Sequence, residues 1–284
     1  MKNKSELMFL LKVIIVMFSI ILIILFYFLF KSITGNKKTV PKVTNKKLSE
    51  KYDVNNIILL NFDFKNYEVN YYVTDKDSLI IEQKGKANKI YAEVRKTNNK
   101  LLVKESVSNI LEKKKFNIYI PKKYKEKISI SNGFNNIKIK DLDEVFLNNN
   151  SGNVKISNVK SVNIENVSGE INIKGELEKI SGTSSTGDIK INSLNGSASI
   201  ETITGDIFIK NFIIKEKSGI ESTSGEINIK VDKKSDCIFK YNPKIEYEIT
   251  SKKCINGNNE LNLKNVTGNI VIKWWQLQIM WYNY

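Results

Sequence analysis

Histidine is absent from the 284-residue sequence, and arginine occurs once, at Arg95. Without histidine the chain cannot build a Ser-His-Asp or Cys-His catalytic site, a histidine-ligated zinc site or a histidine proton shuttle. Any catalysis would fall to carboxylates, lysine or tyrosine. We therefore predict no catalytic residue, no metal ligand and no cofactor.

Acidic residues are scarce only near the N-terminus. Residues 1–47 hold nine lysines against one glutamate, residues 48–145 hold 19 basic and 14 acidic residues, and residues 146–284 hold 17 and 15. A nucleic-acid-binding domain usually carries a basic stripe with arginines that contact bases and phosphates. The predicted folded part is nearly neutral and almost lacks arginine, so we expect no nucleic-acid partner.

Charge, proline and glycine are all missing from residues 13–30, VIIVMFSIILIILFYFLF. A helix of this length nearly spans a hydrocarbon core of about 30 Å. A cleaved signal peptide would have a shorter apolar stretch and a small-residue cleavage site, which the following KSITGNKK does not supply. The sequence predicts a single transmembrane signal anchor, preceded by a short flank at residues 1–12.

The orientation of this anchor is set by opposing signals. Lysines on its C-terminal side outnumber those before it, so the positive-inside rule alone favours a cytoplasmic C-terminal part. A large domain is translocated largely regardless of its charge, and two cysteines suit an oxidising compartment. We predict a protein of the cell membrane with its C-terminal domain outside.

Residues 31–47 have no apolar periodicity and contain one proline, which is typical of a flexible stem. The stem is either a solvated linker or a contact with anionic lipid or cell-wall polymer. The candidate contact residues in it are Lys37, Lys38, Lys42, Lys46 and Lys47.

One phrase recurs through the C-terminal half: Ser or Thr, then Gly, then Asp, Glu or Asn, then two aliphatic residues separated by one position. Its glycines lie at 152, 169, 187, 205, 225 and 268. Each phrase predicts a turn at the glycine and a strand whose aliphatic residues point inward. A period of about 18 residues with a second strand per coil predicts a β-solenoid over residues 146–273.

Residues 48–145 have several strand-like runs without a regular repeat, and we expect this β-rich lead-in to cap the stack. The order of FNIYIPKKYKEKISISNGFNNIKIK from Phe116, then SGEINIK and TGDIKIN phrases, resembles the bacterial putative-adhesin family of β-strand-repeat proteins, a domain of unknown function. The resemblance covers roughly Asn55 to Lys273. It implies an all-β solenoid on bacterial envelope proteins and supplies no catalytic residue.

Glu170, Asp188, Asp206 and Glu226 follow the turn glycines and would form a column. Such a column could bridge calcium, or its carboxylates could accept turn N–H groups. One carboxylate per coil is few ligands for calcium, and the GGxGxDxUx signature is absent. We favour the turn interpretation.

Cysteine occurs twice, at Cys237 and Cys254, within the longest gap between phrases. Residues 232–262 are predicted as an inserted β-hairpin whose ends a disulfide could join. A closed loop of about 18 residues would contribute about 3 kcal/mol in the chain-entropy model. Two free thiols are the alternative.

All three tryptophans lie in the aromatic tail, residues 274–284: Trp274, Trp275 and Trp281. They could form a sugar-stacking or membrane-interface patch. The simpler interpretation is that they cover the open end of the last coil.

The function predicted from these features is that of a non-enzymatic, membrane-anchored protein of the bacterial cell surface, adhesin-like or in contact with the envelope. An envelope-stress signalling component is the alternative. A carbohydrate-active β-helix enzyme is less favoured, because Arg95 lies far from the repeated acids.

Overall fold

The computed structural model describes residues 45–86, 89–106, 115–241, 247–249 and 257–274. Regular structure in these ranges consists of β-strands. Within them, no helix has the length and apolar character needed to cross a membrane. The predicted anchor at 13–30 lies outside the described residues and stays a prediction.

The strands differ in length, and two of them are much longer than the rest. In chain order they are β1 (Asn45–Tyr52), β2 (Leu59–Phe64), β3 (Glu68–Thr74), β4 (Leu79–Lys86), β5 (Ala92–Thr97), β6 (Lys100–Glu105), β7 (Lys115–Pro121), β8 (Lys127–Asn132), β9 (Ile137–Lys140), β10 (Glu144–Asn149), β11 (Val154–Ser157), β12 (Ser161–Asn166), β13 (Ile171–Thr186), β14 (Ile189–Thr204), β15 (Ile207–Ile214), β16 (Ser218–Ser224), β17 (Ile227–Val231), β18 (Cys237–Tyr241), β19 (Tyr247–Ile249), β20 (Asn259–Thr267) and β21 (Ile270–Trp274).

Pairing between strands, mostly parallel, arranges them into two stacks. The first runs β5-β6-β2-β8-β10-β12-β13-β14-β16-β20-β18, and the second runs β1-β4-β7-β3-β9-β11-β13-β14-β15-β17-β21-β19. The long strands β13 and β14 begin in the second stack and end in the first. Each coil therefore gives one strand to each stack, and the predicted β-solenoid is confirmed.

The core is built from the aliphatic pair of each phrase. Ile171, Ile189, Ile207, Ile227 and Ile270 occupy the same register on successive strands, and each is at most 3% exposed. Strand alternation sends the residue between the two aliphatic positions to the opposite side. The inward column of isoleucines predicted from the repeats is confirmed.

The predicted irregular lead-in is more regular than expected. Strands β2 and β3 form one coil and β8 and β9 the next, in the same stacks as the later repeats. Strands β1, β4 and β5 make the antiparallel pairs, at the N-terminal end of the stacks. The solenoid thus starts well before residue 146, because Ile128, Ile130, Ile137 and Ile139 are buried like the later isoleucines.

Among the described residues of the segment at 232–262, the strands pair with the neighbouring coil and not with each other, which corrects our prediction of a hairpin. Strand β18 pairs in parallel with β20, and β19 pairs in parallel with β21. The coil formed by β20 and β21 lies between the coil of β16 and β17 and that of β18 and β19. A coil supplies one strand to the open edge of each stack, whereas a hairpin would pair with itself.

The boundaries of the stem and of the aromatic tail also differ from the prediction. Strand β1 begins at Asn45, so Lys46 and Lys47 belong to the folded part. Strand β21 includes the backbone of Trp274. Asn45 to Lys47 pair with the edge of β4, and Trp274 extends a strand that pairs with β17, and both are long-range pairings that the local sequence does not reveal.

Candidate functional site

The outer surface of the second stack is lined with lysines. Two residues face outward on each of the strands β9, β11, β13, β14, β15, β17 and β21. One lies between the two buried aliphatic residues of the strand, and the other follows the second of them. We call these residues the lysine face: Lys138 and Lys140, Lys155 and Ser157, Asn172 and Lys174, Lys190 and Asn192, Phe208 and Lys210, Asn228 and Lys230, Val271 and Lys273. The face carries eight lysines and no carboxylate, and its seven strands span about 29 Å.

The first stack has a different outer surface. Its equivalent outward positions are Ser129 and Ser131, Phe146 and Asn148, Asn163 and Glu165, Ser181 and Thr183, Ser199 and Glu201, Gly219 and Glu221, Asn262 and Lys264. These two positions per strand hold three glutamates and one lysine, and two further outward lysines, Lys127 and Lys179, lie two residues before them on β8 and β13. If the lysines only reflected the high lysine content of the sequence, both surfaces would carry similar numbers of them. The lysines are instead concentrated at particular positions of the second stack.

Few lysines of the face are neutralised by ion pairs. Lys190 contacts Glu170 at 2.8 Å and Asp188 at 3.3 Å. The hydrogen bond with Glu170 raises the pKa of Lys190, and the same bond lowers the pKa of Glu170. Lys140 lies 3.5 Å from Asp141.

Five other lysines have no carboxylate within 4.0 Å in the part of the chain that the structure describes: Lys138, Lys155, Lys174, Lys210 and Lys273. Unpaired charges in a row reinforce one another and attract anions at a distance. The face is therefore a positively charged surface at neutral pH.

A groove runs along this face, parallel to the solenoid axis. Its larger part has a volume of about 700 Å³ and is lined by residues from Asn172 to Lys273, with Phe208 among them. A smaller part of about 240 Å³ extends to Tyr72 and shares Asn172 and Lys174 with the first. Tyr72 stacks on Tyr119, with ring centroids 5.6 Å apart. The groove thus combines lysines, amides and aromatic rings.

The column of acids at the turns takes part in the fold. The Asp188 side chain accepts the Asp206 N–H at 3.1 Å, and Asp206 accepts the Glu226 N–H at 2.7 Å. The turn interpretation is confirmed for these two carboxylates, although each N–H belongs to the next coil. Among the described residues, no three His, Cys, Asp or Glu side chains group in a way that could hold a metal ion.

Sequence reasoning missed a ladder of buried amides inside the first stack. The side-chain nitrogen of Asn132 donates to Asn149 at 2.6 Å, that of Asn149 donates to Asn166 at 2.7 Å, and that of Asn166 donates to Ser184 at 2.9 Å. A signal was present, because each turn glycine has a polar residue three positions before it. The ladder is structural and lies away from the lysine face.

The predicted contact residues are only partly within the described chain. The Lys47 amine contacts the Glu82 carboxylate at 2.8 Å, so this lysine holds the fold together. Cys237 is buried and its thiol is not free, whereas Cys254 lies outside the described residues, so their pairing stays a prediction. Backbone alone is described for Lys46 and Trp274. The remaining predicted residues lie outside: Lys37, Lys38, Lys42, Trp275 and Trp281.

Comparisons with solved structures find several similar bacterial proteins, one of them with a TM-score above 0.5. A putative adhesin from Bacteroides fragilis NCTC 9343 is 19% identical with a TM-score of 0.51, over 81% of this chain and 98% of that one. A putative lipid binding protein from Parabacteroides distasonis ATCC 8503 is 14% identical with a TM-score of 0.43, over 81% and 97%. A putative adhesin from the same organism is 15% identical with a TM-score of 0.42, over 81% and 98%.

No curated protein matches the sequence. A family of domains of unknown function does match it, over residues 53–273, which include every coil of the two stacks. The resemblance inferred from the repeated phrases covered almost the same residues. The chain belongs to the Toastrack DUF4097 family.

Proposed function

We propose that this protein is a non-enzymatic, adhesin-like β-solenoid that is anchored in the cell membrane and binds a negatively charged component of the bacterial envelope through its lysine face. The observation that carries the proposal is the segregation of charge, with eight lysines and no carboxylate at the outward positions of the seven strands that form the lysine face. The predicted anchor at 13–30 would hold this surface next to the envelope.

The adhesin-like part of the proposal is supported by the family and by the neighbours described as putative adhesins. A solenoid packs one coil against the next and presents a long surface made of repeated positions. Such a surface suits binding of an extended partner better than it suits catalysis, which needs convergent groups around a small substrate.

The lysine face also changes which residues we propose as the partner contact. Lys47 is paired with Glu82, so it is not available to a partner. Lys37, Lys38 and Lys42 of the stem, with the aromatic tail, stay as a second proposed contact. The lysine face is preferred because strands fix the backbone of its lysines, so that little backbone freedom is lost on binding.

Binding to isolated cell envelopes tests the proposal. The full chain, held in nanodiscs of neutral lipid, is mixed with envelopes, and the bound fraction is measured by sedimentation at increasing salt. We expect Lys174→Glu with Lys210→Glu to weaken binding at least about tenfold, since each exposed lysine near an anionic surface contributes about 1 kcal/mol.

Lys179→Glu is the matched control, because Lys179 is an exposed lysine of the first stack. The control should bind within about twofold of wild type. Equal binding by the face variant and wild type, or equal loss in the control, would show that the face is not the binding surface.

The side of the membrane is tested separately with intact cells. Protease added outside should remove the folded part while leaving a cytoplasmic marker protein whole. Protection of the folded part in intact cells, with digestion after lysis, would place it inside and contradict the proposal.

A further inference from the structure

We infer that the partner of the lysine face is a linear anionic polysaccharide that lies in the groove along the solenoid axis. This inference rests on the proposed function and names the chemical class of the partner. It requires a ligand with negative charges, sugar rings and an extended shape, and three features of the groove match these in turn.

Shape is the first feature. The groove crosses the strands of the second stack, so a ligand in it meets a new strand about every 4.8 Å. That spacing is close to the length of one ring in an extended polysaccharide. Each of the seven strands presents at least one lysine, which allows successive charged sugars to meet successive lysines without bending the chain.

Aromatic rings are the second feature. Tyr72 and Tyr119 form a stacked pair at one end of the groove, and Phe208 lies within its larger part. All three side chains are half-buried, so they form part of the surface and do not project from it. Rings in this position can stack on the apolar face of a sugar, whereas residues that insert into a bilayer must project into it.

Amides are the third feature. Asn172, Asn192 and Asn228 each share their strand with a lysine of the face, two positions away. An amide group both donates and accepts hydrogen bonds, as a sugar hydroxyl does, whereas a polymer of phosphate groups only accepts them. The asparagines therefore favour a ligand that carries hydroxyls beside its charges.

A nucleic acid fits these features less well. The phosphates of a duplex wind around its axis, so a straight face about 29 Å long meets only those on one side. The face also contains no arginine, which is the residue best suited to bidentate contacts with phosphates and bases. We therefore do not propose a nucleic acid as the partner, and the test below includes DNA as a competing ligand.

The test compares polymers that separate charge from sugar rings. The full chain in nanodiscs of neutral lipid is titrated with polygalacturonate, with its methyl ester, with polyphosphate and with single-stranded DNA, and vesicles of phosphatidylglycerol are added as the membrane probe. We expect polygalacturonate to bind at least about tenfold more tightly than the uncharged ester and than polyphosphate of equal charge.

Variants then assign the two contributions to residues. Lys174→Gln with Lys210→Gln should weaken polygalacturonate binding about tenfold and make it less sensitive to salt. Phe208→Ala or Tyr72→Ala should weaken polygalacturonate binding about fivefold without changing its salt dependence or the binding of polyphosphate. Phe146→Ala, which removes an outward ring of the first stack, is the matched control and should bind like wild type. Thermal unfolding of each variant checks that the fold is kept.

The outcomes distinguish this inference from the proposed function. If polyphosphate, DNA or vesicles bind as tightly as polygalacturonate and the aromatic variants change nothing, the face recognises charge alone and the inference is wrong, while the proposed function stands. If the lysine variants bind every probe and isolated envelopes like wild type, both are wrong.

Discussion

A buried polar side chain occupies the same position in seven successive coils of the first stack, from β8 to β20. The residues are Asn132, Asn149, Asn166, Ser184, Thr202, Ser222 and Asn265, each at most 4% exposed. An amide in a dry interior must have partners, because a buried polar group without one costs about 1–3 kcal/mol. In Asn149 the nitrogen donates to Asn166 and to the Gly152 carbonyl, and the oxygen accepts from Asn132. The bonds from Asn132 to Ser184 penalise any of these coils that slips by one residue, since the amide would leave its partners.

Replacing Asn149 by alanine should lower the free energy of unfolding by about 2–3 kcal/mol, because the side-chain oxygen of Asn166 loses its donor. Urea unfolding of the full chain in detergent measures this. Asn148→Ala is the matched control on the same strand, where the side chain points outward and bonds Glu165. Its effect should stay within about 0.5 kcal/mol, and equal losses in both variants would contradict a role of the ladder in stability.

The turn is the element that fixes the distance between coils. Gly187 has a φ of 120°, and a Cβ built on it would lie 2.3 Å from the Gly169 carbonyl oxygen. Both the backbone conformation and the close approach of the neighbouring coil exclude a side chain. The glycine column therefore follows from the stacking of turns as well as from their shape.

We expect Gly187→Ala to destabilise the fold by at least about 2 kcal/mol, since the substituted residue is strained and must also push the next coil away. Gly219→Ala provides the comparison, because a Cβ there meets no atom within 4 Å. The melting temperature should fall in the first variant and stay within a few degrees in the second. Similar melting temperatures for the two would show that the turns can separate without cost.

The N-terminal end of the second stack contains a buried carboxylate. Glu82 of β4 is 4% exposed and accepts hydrogen bonds from the Lys47 amine at 2.8 Å and the Asn117 amide at 3.0 Å. Burial acts to raise the pKa of Glu82, but the hydrogen bonds from Lys47 and Asn117 outweigh it, so the pKa is lowered from 4.5. A carboxylate whose pKa falls on folding stabilises the protein above its unfolded pKa, and that contribution disappears as the pH falls through the folded pKa.

The free energy of unfolding should therefore decrease between about pH 6 and about pH 3, and Glu82→Gln should reduce this decrease while lowering stability at pH 6. Urea unfolding at both pH values measures the difference. Glu93→Gln serves as control, because Glu93 forms an exposed pair with Arg95 on β5. A Glu82 variant with the pH dependence of wild type would rule out this carboxylate as the source.

At the scale of the whole molecule, the features that could be predicted from the sequence are those that depend on the spacing of nearby residues. The turn glycines and the aliphatic pairs recur within a few residues of each other, so the inward isoleucines and the solenoid followed from them. The lysine face depends on which part of each coil belongs to which stack. Its signal was present in the phrases themselves, where INIK, IFIK and IVIK end on lysine. A net charge summed over 146–284 hides this signal, because it averages the lysine face with the acidic residues of the turns and of the first stack. The near-neutral charge is therefore no argument against a basic surface.

Long-range pairing could not be predicted from the repeats. Whether residues 232–249 pair with each other or with β20 and β21 depends on the open edges of the stacks, which exist only after the other coils have formed. The same holds for Lys47, whose position beside Glu82 depends on β1 joining the edge of β4.

At both ends of the solenoid, the order of the strands in space differs from their order in the sequence. Strands β4 to β7 lie beyond the coil of β2 and β3, and the coil of β18 and β19 lies beyond that of β20 and β21. Between these ends, the coils with turn glycines from Gly152 to Gly225 follow one another at intervals of 17 to 20 residues. Duplication or deletion of one such unit in this middle region would lengthen or shorten the groove by one strand while leaving both ends unchanged. The length of the solenoid can therefore change in evolution without a change in its two ends, and each added coil would extend the lysine face by one strand.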